Sequence, residues 1–186
     1  MPVATALEGI AAEVRSCTLC RLHENRTEAV PGEGPAEAAI ILIGEAPGRQ
    51  EDEVGHPFVG MAGRVLDEAL EEAGLTRSDV FITNVVKCRP PGNRNPKADE
   101  MEACRPYLLR QIEWVRPSVI VTLGIFGLRS LLGVTGKVAR LRSEELKFEG
   151  TPVVATYHPA ATRYSRVIKE RLVQDLRRAV DIAGRD

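Results

Sequence analysis

Four cysteines punctuate the chain: Cys17 and Cys20 form a C-x-x-C pair, and Cys88 and Cys104 follow far downstream with fifteen residues between them. In a compartment that keeps thiols reduced, four such residues are poor material for two structural disulfides. A redox pair at Cys17 and Cys20 would use only half of them. Four thiolates suit a tetrahedral zinc or a cubane iron–sulfur cluster, and the wide second spacing leans towards the cluster. Arg15, Arg21, Lys87, Arg89 and Arg105 flank the cysteines and would offset the negative charge of a thiolate-ligated centre. The plain alternative is that one or two of the four are small buried hydrophobes.

A second set of residues carries acid–base and recognition chemistry. Glu45 stands in the turn Gly44-Glu45-Ala46-Pro47-Gly48, whose glycines let backbone approach a ligand closely. The turn has neither the Lys-Ser/Thr of a phosphate loop nor a full G-x-G-x-x-G, so nucleotide-binding readings are weak. Asn84 offers a donor and an acceptor side by side, matched to the edge of a pyrimidine, although a strand-end Asn also serves as a cap. Phe58, in His56-Pro57-Phe58-Val59-Gly60, suits stacking on a planar ligand or plugging the core. His158 is followed by Pro159, which holds the preceding backbone extended, and it is the histidine best placed for catalysis.

These residues need a scaffold, and the apolar pattern describes one. Leu7, Ile10, Ala11 and Val14 share a helical face that ends at the first cysteine pair, and residues 25–36 read as a loop. Strands are expected at 38–43, 80–83, 118–123 and 152–156, with helices at about 62–73, 97–115, 125–132 and 165–182. Residues 137–149 read as a hairpin or an irregular excursion. Alternating short strands and helices imply a mostly parallel sheet of about four strands covered on both faces, with the working site at the carboxyl ends of the strands. Glu45, Asn84 and His158 all fall at such ends.

With 186 residues, 44% of them apolar, the chain is long enough for one well-filled core, so residues 1–186 are expected to form a single domain. No run is apolar and long enough for a membrane span, no secretory leader is visible, and a cytoplasmic protein is expected. A net charge of −1 does not announce a nucleic-acid binder. Basic residues nevertheless gather at Arg89 to Lys97 and at Arg163 to Arg171, as local DNA contacts or as ordinary solvated surface. A non-catalytic nucleic-acid-binding module would explain the cysteines and the basic clusters, but would leave Glu45, Asn84 and His158 without a joint purpose.

Taken in order, Cys17-x-x-Cys20, GEAPGRQED from Gly44, GHPFVGMAGRVLD from Gly55, TNVVKCRPPGNRNP from Thr83, Cys104, VTLG from Val121 and YHPAA from Tyr157 closely resemble the family 4 uracil-DNA glycosylases. The resemblance spans nearly the whole chain. It implies a three-layer α/β/α fold, a 4Fe–4S cluster on Cys17, Cys20, Cys88 and Cys104, and hydrolysis of the N-glycosidic bond of deoxyuridine in DNA. By position, Glu45 and the Ala46 backbone would organise the attacking water, Phe58 would stack on the flipped uracil, Asn84 would read its edge, and His158 would stabilise the leaving base. Expected partners are uracil-containing DNA, single- or double-stranded, met by a monomer through Arg89, Arg94, Arg163, Tyr164 and Arg166. The turn after His158 departs from the family in continuing Thr162-Arg163-Tyr164-Ser165-Arg166, so Tyr164 or Arg163 would supply the wedge into the base stack. The segment PPGNRNPKADE has no histidine, which implies turnover without a covalent protein–DNA trap.

Overall fold

The computed structural model describes residues 2–184. Helix α1 (Val3–Ser16) leads into the cysteine pair, and strand β1 (Ile40–Gly44) follows the expected loop. The chain then runs through α2 (Arg49–Val54), α3 (Met61–Glu72), β2 (Val80–Asn84), α4 (Ala98–Val115), β3 (Val119–Leu123) and α5 (Ile125–Leu132). A single turn, α6 (Val138–Leu141), precedes β4 (Leu146–Phe148) and β5 (Thr151–Thr156), and α7 (Arg166–Ala183) closes the described chain.

The strands form one sheet in the order β2-β1-β3-β5-β4, parallel except for β4, which runs antiparallel to β5. The sheet therefore has five strands rather than about four. The extra one lies in residues 137–149, which hold the turn α6 and one strand, β4, rather than a hairpin of their own: β4 pairs with β5, and Glu149 and Gly150, at positive φ of 48° and 90°, close the tight two-residue turn between them. β4 is only three residues long and half exposed, too short for its alternation to stand out in the sequence. Helix α2 was also hidden, because Arg-Gln-Glu-Asp-Glu-Val has no apolar stripe to mark it.

Alternate residues of the parallel strands feed two cores. Ile41, Ile43, Phe81, Ile120, Val153 and Ala155 face one side, where Ile10 and Val14 of α1, Leu108 and Ile112 of α4, and Phe126 and Leu128 of α5 cover them. Ile40, Leu42, Val80, Ile82, Val119, Val121 and Val154 face the other, under Leu66 and Leu70 of α3 and Leu172 and Leu176 of α7. This is the three-layer α/β/α arrangement, with strands apolar on both faces because both are buried. Connections leave β1 towards β2 and leave β3 towards β5, so a crevice opens at the carboxyl edge where their direction reverses.

One helix contact fixes a loop at that edge. A Cβ on Gly63, in the first turn of α3, would overlap the carbonyl carbon and oxygen of Phe58. The helix can approach the 56–60 loop only because this position has no side chain. Gly63→Ala is expected to lower stability by about 2–4 kcal/mol, the cost of overpacking against backbone that cannot move aside. The shift in urea midpoint measures it.

Candidate functional site

A cavity of about 370 Å³ opens at the crevice, within the roughly 300–1,000 Å³ usual for small-ligand sites. Its walls include Glu45 and Ala46 from the turn after β1, Phe58, Asn84 at the end of β2, and His158 after β5. All five residues singled out for chemistry thus meet in one place, although 113 positions separate Glu45 from His158.

Asn84 is 1% exposed, and its Oδ1 is buried without a hydrogen-bond partner. A buried carbonyl with nothing to accept costs about 1–3 kcal/mol, which a donor reaching it would relieve. Gly44 makes room for it, since a Cβ there would overlap Asn84 Oδ1 and the Phe58 ring. Phe58 packs into the core under α3 and also lines the cavity, its ring centroid 5.7 Å from that of His158 at an interplanar angle of 33°. Its φ of +51° is unusual for a bulky residue. Arg77 holds that backbone in place, donating to the carbonyls of Pro57 at 2.6 Å and Phe58 at 3.0 Å while paired with Glu33 and Asp67.

His158 Nδ1 accepts a hydrogen bond from the Ala160 N–H at 3.2 Å. The ring proton therefore sits on Nε2, and His158 enters the cavity as a neutral donor. Burial pushes its pKa down to about 4, only partly opposed by the Glu51 carboxylate. Burial also raises the Glu45 carboxyl above its ordinary value, against a smaller opposing effect of Arg129. The site thus pairs a neutral imidazole with a carboxylate whose proton leaves late.

Glu51, quoted only as part of a motif in the sequence, organises the cavity walls. One carboxylate oxygen accepts the N–H groups of Val59 at 2.9 Å and Gly60 at 2.8 Å, and the other accepts that of Gly48 at 3.1 Å. Nothing in its spacing from Glu45 would have revealed this, because Gly48 and Gly60 meet only in three dimensions.

The basic segments divide. Both terminal nitrogens of Arg94 are engaged by Glu100, at 2.9 and 2.7 Å, and one also reaches the Asn95 carbonyl. Glu100 is fully buried, and the Arg94 guanidinium holds its carboxyl below the ordinary value. Arg94 thereby pins the 90–97 loop over the cavity. Arg89 lies against Asn93, its Nε 2.7 Å from the Asn93 Oδ1. Arg163, Tyr164 and Arg166 are exposed at the turn beyond His158, with Tyr164 at 84%.

Cys17, Cys20, Cys88 and Cys104 line a separate recess between α1 and α4, together with Arg26, Lys87 and Tyr107. All four are free thiols. Donors surround them: the Leu19 N–H lies 3.5 Å from Cys17 Sγ, Arg26 Nη1 3.1 Å from Cys88 Sγ, and the Lys87 N–H 3.3 Å from Cys104 Sγ. Burial raises the thiols of Cys20 and Cys88 and pushes Cys104 up to about 12. Thiolates there require a compensating positive centre, and the inward N–H groups suit sulfurs carrying negative charge. Among the described residues no three Cys, His, Asp or Glu side chains converge tightly enough for a single metal ion. Four thiols lining one recess, three of them faced by N–H donors, fit a sulfur-ligated group shared among them.

The uracil DNA glycosylase superfamily profile matches residues 31–177, most of the chain and every wall of the cavity. The chain belongs to that superfamily. Within it the likeness is to type 4. A type-4 uracil-DNA glycosylase of Archaeoglobus fulgidus is 42% identical over 97% of this chain and 94% of its own length. Those of Sulfurisphaera tokodaii and Saccharolobus solfataricus are 44% and 47% identical, over 96% and 92% of this chain and 85% and 84% of theirs.

Two outcomes follow from this geometry. Replacing the three-way acceptor in Glu51→Gln turns an amide N–H₂ towards backbone donors, and an unfolding free energy lowered by about 2–3 kcal/mol, read from urea denaturation, is expected. Because His158 is neutral in the folded protein down to about pH 4, its ring ¹⁵N shifts should remain those of a neutral Nε2–H imidazole at pH 6. Full stability is present above the unfolded histidine value near 6.5, and it falls as the pH drops from there towards 4, where the unfolded chain alone takes up the proton.

Proposed function

We propose that this protein hydrolyses the N-glycosidic bond of deoxyuridine in DNA, releasing uracil and leaving an abasic site, as the first step of DNA repair. The observation that carries this reading is the buried, partnerless Oδ1 of Asn84 in a cavity shared with an aromatic ring and a neutral histidine donor. Uracil answers each wall: its N3–H would satisfy Oδ1 and its O4 would accept from the Asn84 amide. Cytosine offers an acceptor at N3 and a donor in place of O4, so both bonds would be lost.

A base inside a duplex cannot reach this cavity, so the nucleotide is flipped out at a cost of a few kcal/mol. Phe58 stacks on the extruded ring, and the exposed Tyr164 or Arg163 fills the gap it leaves, with Arg89, Arg163 and Arg166 on flanking phosphates. Arg94 serves the DNA indirectly, by holding its loop against Glu100. As the bond lengthens, the sugar gains oxocarbenium character and the base becomes an anion. The Glu45 carboxylate favours the former and, with the Ala46 backbone, orients the attacking water; the His158 Nε2–H favours the latter. No histidine stands in the segment after Asn84, which supports turnover without a covalent trap.

Cys17, Cys20, Cys88 and Cys104 would hold a 4Fe–4S cluster. Bound there, the cluster supplies a structural crosslink between the start of the chain and the 88–104 region. We further propose that the protein acts as a monomer in the cytoplasm.

An oligonucleotide with one uracil, incubated with iron-loaded protein and then cleaved with alkali, tests the reaction. Strand scission at the uracil is expected, and its absence under single-turnover conditions would sink the reading. Asn84→Ala and His158→Ala should each slow excision by about 10²–10³-fold with iron content unchanged. Cys88→Ala should lose iron and visible absorbance, and with them stability.

A further inference from the structure

Lys87 is 1% exposed, the largest fully buried side chain among the described residues, and it does not line the cavity. An ammonium survives burial only when every proton is placed. Here Nζ donates to Thr83 Oγ1 at 2.5 Å, Gln111 Oε1 at 2.7 Å and the backbone carbonyl of Asn84 at 2.8 Å. Gln111 is in turn anchored through its Nε2 to the Pro31 carbonyl at 2.7 Å. The other end of the residue faces the cysteines: its backbone N–H points to Cys104 Sγ at 3.3 Å, and Cys88 is its chain neighbour.

Residues 84–87 are thereby closed on themselves by the Lys87 side chain and sewn to the sheet. The Val85 and Val86 N–H groups donate to the Gly44 and Glu45 carbonyls, and the Lys87 carbonyl accepts from Val30. A five-residue span thus carries the base-reading amide at one end and a cysteine at the other. We propose that Lys87 is a positioning residue that couples the cysteine centre to base recognition: its backbone N–H is seated at Cys104 Sγ on one side, and its side-chain ammonium holds the Asn84 carbonyl on the other so that the side-chain amide presents to uracil. This rests on the assignment of Asn84 as the reader of the uracil edge.

The prediction is specific because an inert space-filler would serve as well as a lysine if the role were packing alone. Lys87→Met keeps the length and removes the charge and three hydrogen bonds. Thr83→Val removes one of the three acceptors and leaves the charge and the cysteines intact. Free uracil is titrated calorimetrically into iron-loaded wild type and both variants, with affinity expressed per loaded molecule, and excision kinetics are run alongside. Uracil affinity should fall about tenfold or more in Lys87→Met and about threefold in Thr83→Val, the size expected for charged and single hydrogen bonds. kcat should fall with it, while KM for DNA changes less than about twofold, since the phosphate contacts lie elsewhere. A folded, loaded Lys87→Met with wild-type uracil affinity, or one whose loss lies in KM for DNA, overturns the proposal. Should Lys87→Met fail to fold or load, unchanged uracil affinity in Thr83→Val overturns it. Wild type that excises uracil yet is matched by both variants removes only the role of Lys87; wild type that neither excises nor binds uracil removes the glycosylase reading beneath it.

Discussion

The carboxylate of Glu51 accepts backbone N–H groups from Gly48, Val59 and Gly60, and the shape of the cavity depends on that convergence. The turn after β1 must present Glu45 and Ala46, while the loop before α3 must present Phe58 at a positive φ that its side chain disfavours. Backbone bonds from Val85 and Val86 hold the Gly44 and Glu45 carbonyls at the start of the first loop, and Glu51 holds its far end at Gly48. The Glu51 side chain, nine-tenths buried, ties the two together through three backbone N–H groups. Arg77 completes the restraint from the other side by occupying the carbonyls of Pro57 and Phe58.

The same device recurs at the opposite wall. Glu100 is buried at the start of α4, accepts the Lys97 N–H at 2.8 Å, and receives both terminal nitrogens of Arg94. Arg21, next to Cys20, approaches it to 3.8 Å and also pairs with Asp99. The loop that roofs the cavity and the turn that carries the first two cysteines therefore lean on one helix terminus. Buried ion pairs of this kind are seldom a net source of stability, because desolvation offsets the attraction. Their effect is to specify one arrangement of loops that have no apolar pattern to specify it for them.

Chemistry at the site is then set by contrast between neighbours. Asn84 carries an unmet acceptor that a neutral pyrimidine edge with an N–H would fill. His158 is kept neutral by burial and given a defined tautomer by one backbone N–H, while Glu45 retains the only carboxylate of the three chemical groups. Thr83, Asn84, Lys87 and Cys88 sit within six residues, so one short span runs from the cavity lining at Asn84 to the cysteine recess at Lys87 and Cys88.

Much of this was legible in the chain. Four parallel strands and the flanking long helices lay within a residue or two of their expected limits, because strands buried on both faces leave continuous apolar runs and amphipathic helices leave stripes. Glu45, Asn84 and His158 declared themselves by standing at strand ends, where a parallel sheet places its ligands. Helix α2 and strand β4 did not, since one is polar throughout and the other too short to show alternation. The roles of Glu51, Arg77, Arg94 and Lys87 were equally hidden. A charged residue is written the same way whether it is solvated, contacts DNA or is buried against backbone, and only the tertiary structure decides which groups surround it. The sequence by itself determined the elements and the chemical inventory, because those follow from local periodicity and residue type. The partnerless oxygen of Asn84, the tautomer of His158 and the placing of all three ammonium protons of Lys87 were decided by the fold, because each depends on atoms that the chain brings together from distant positions.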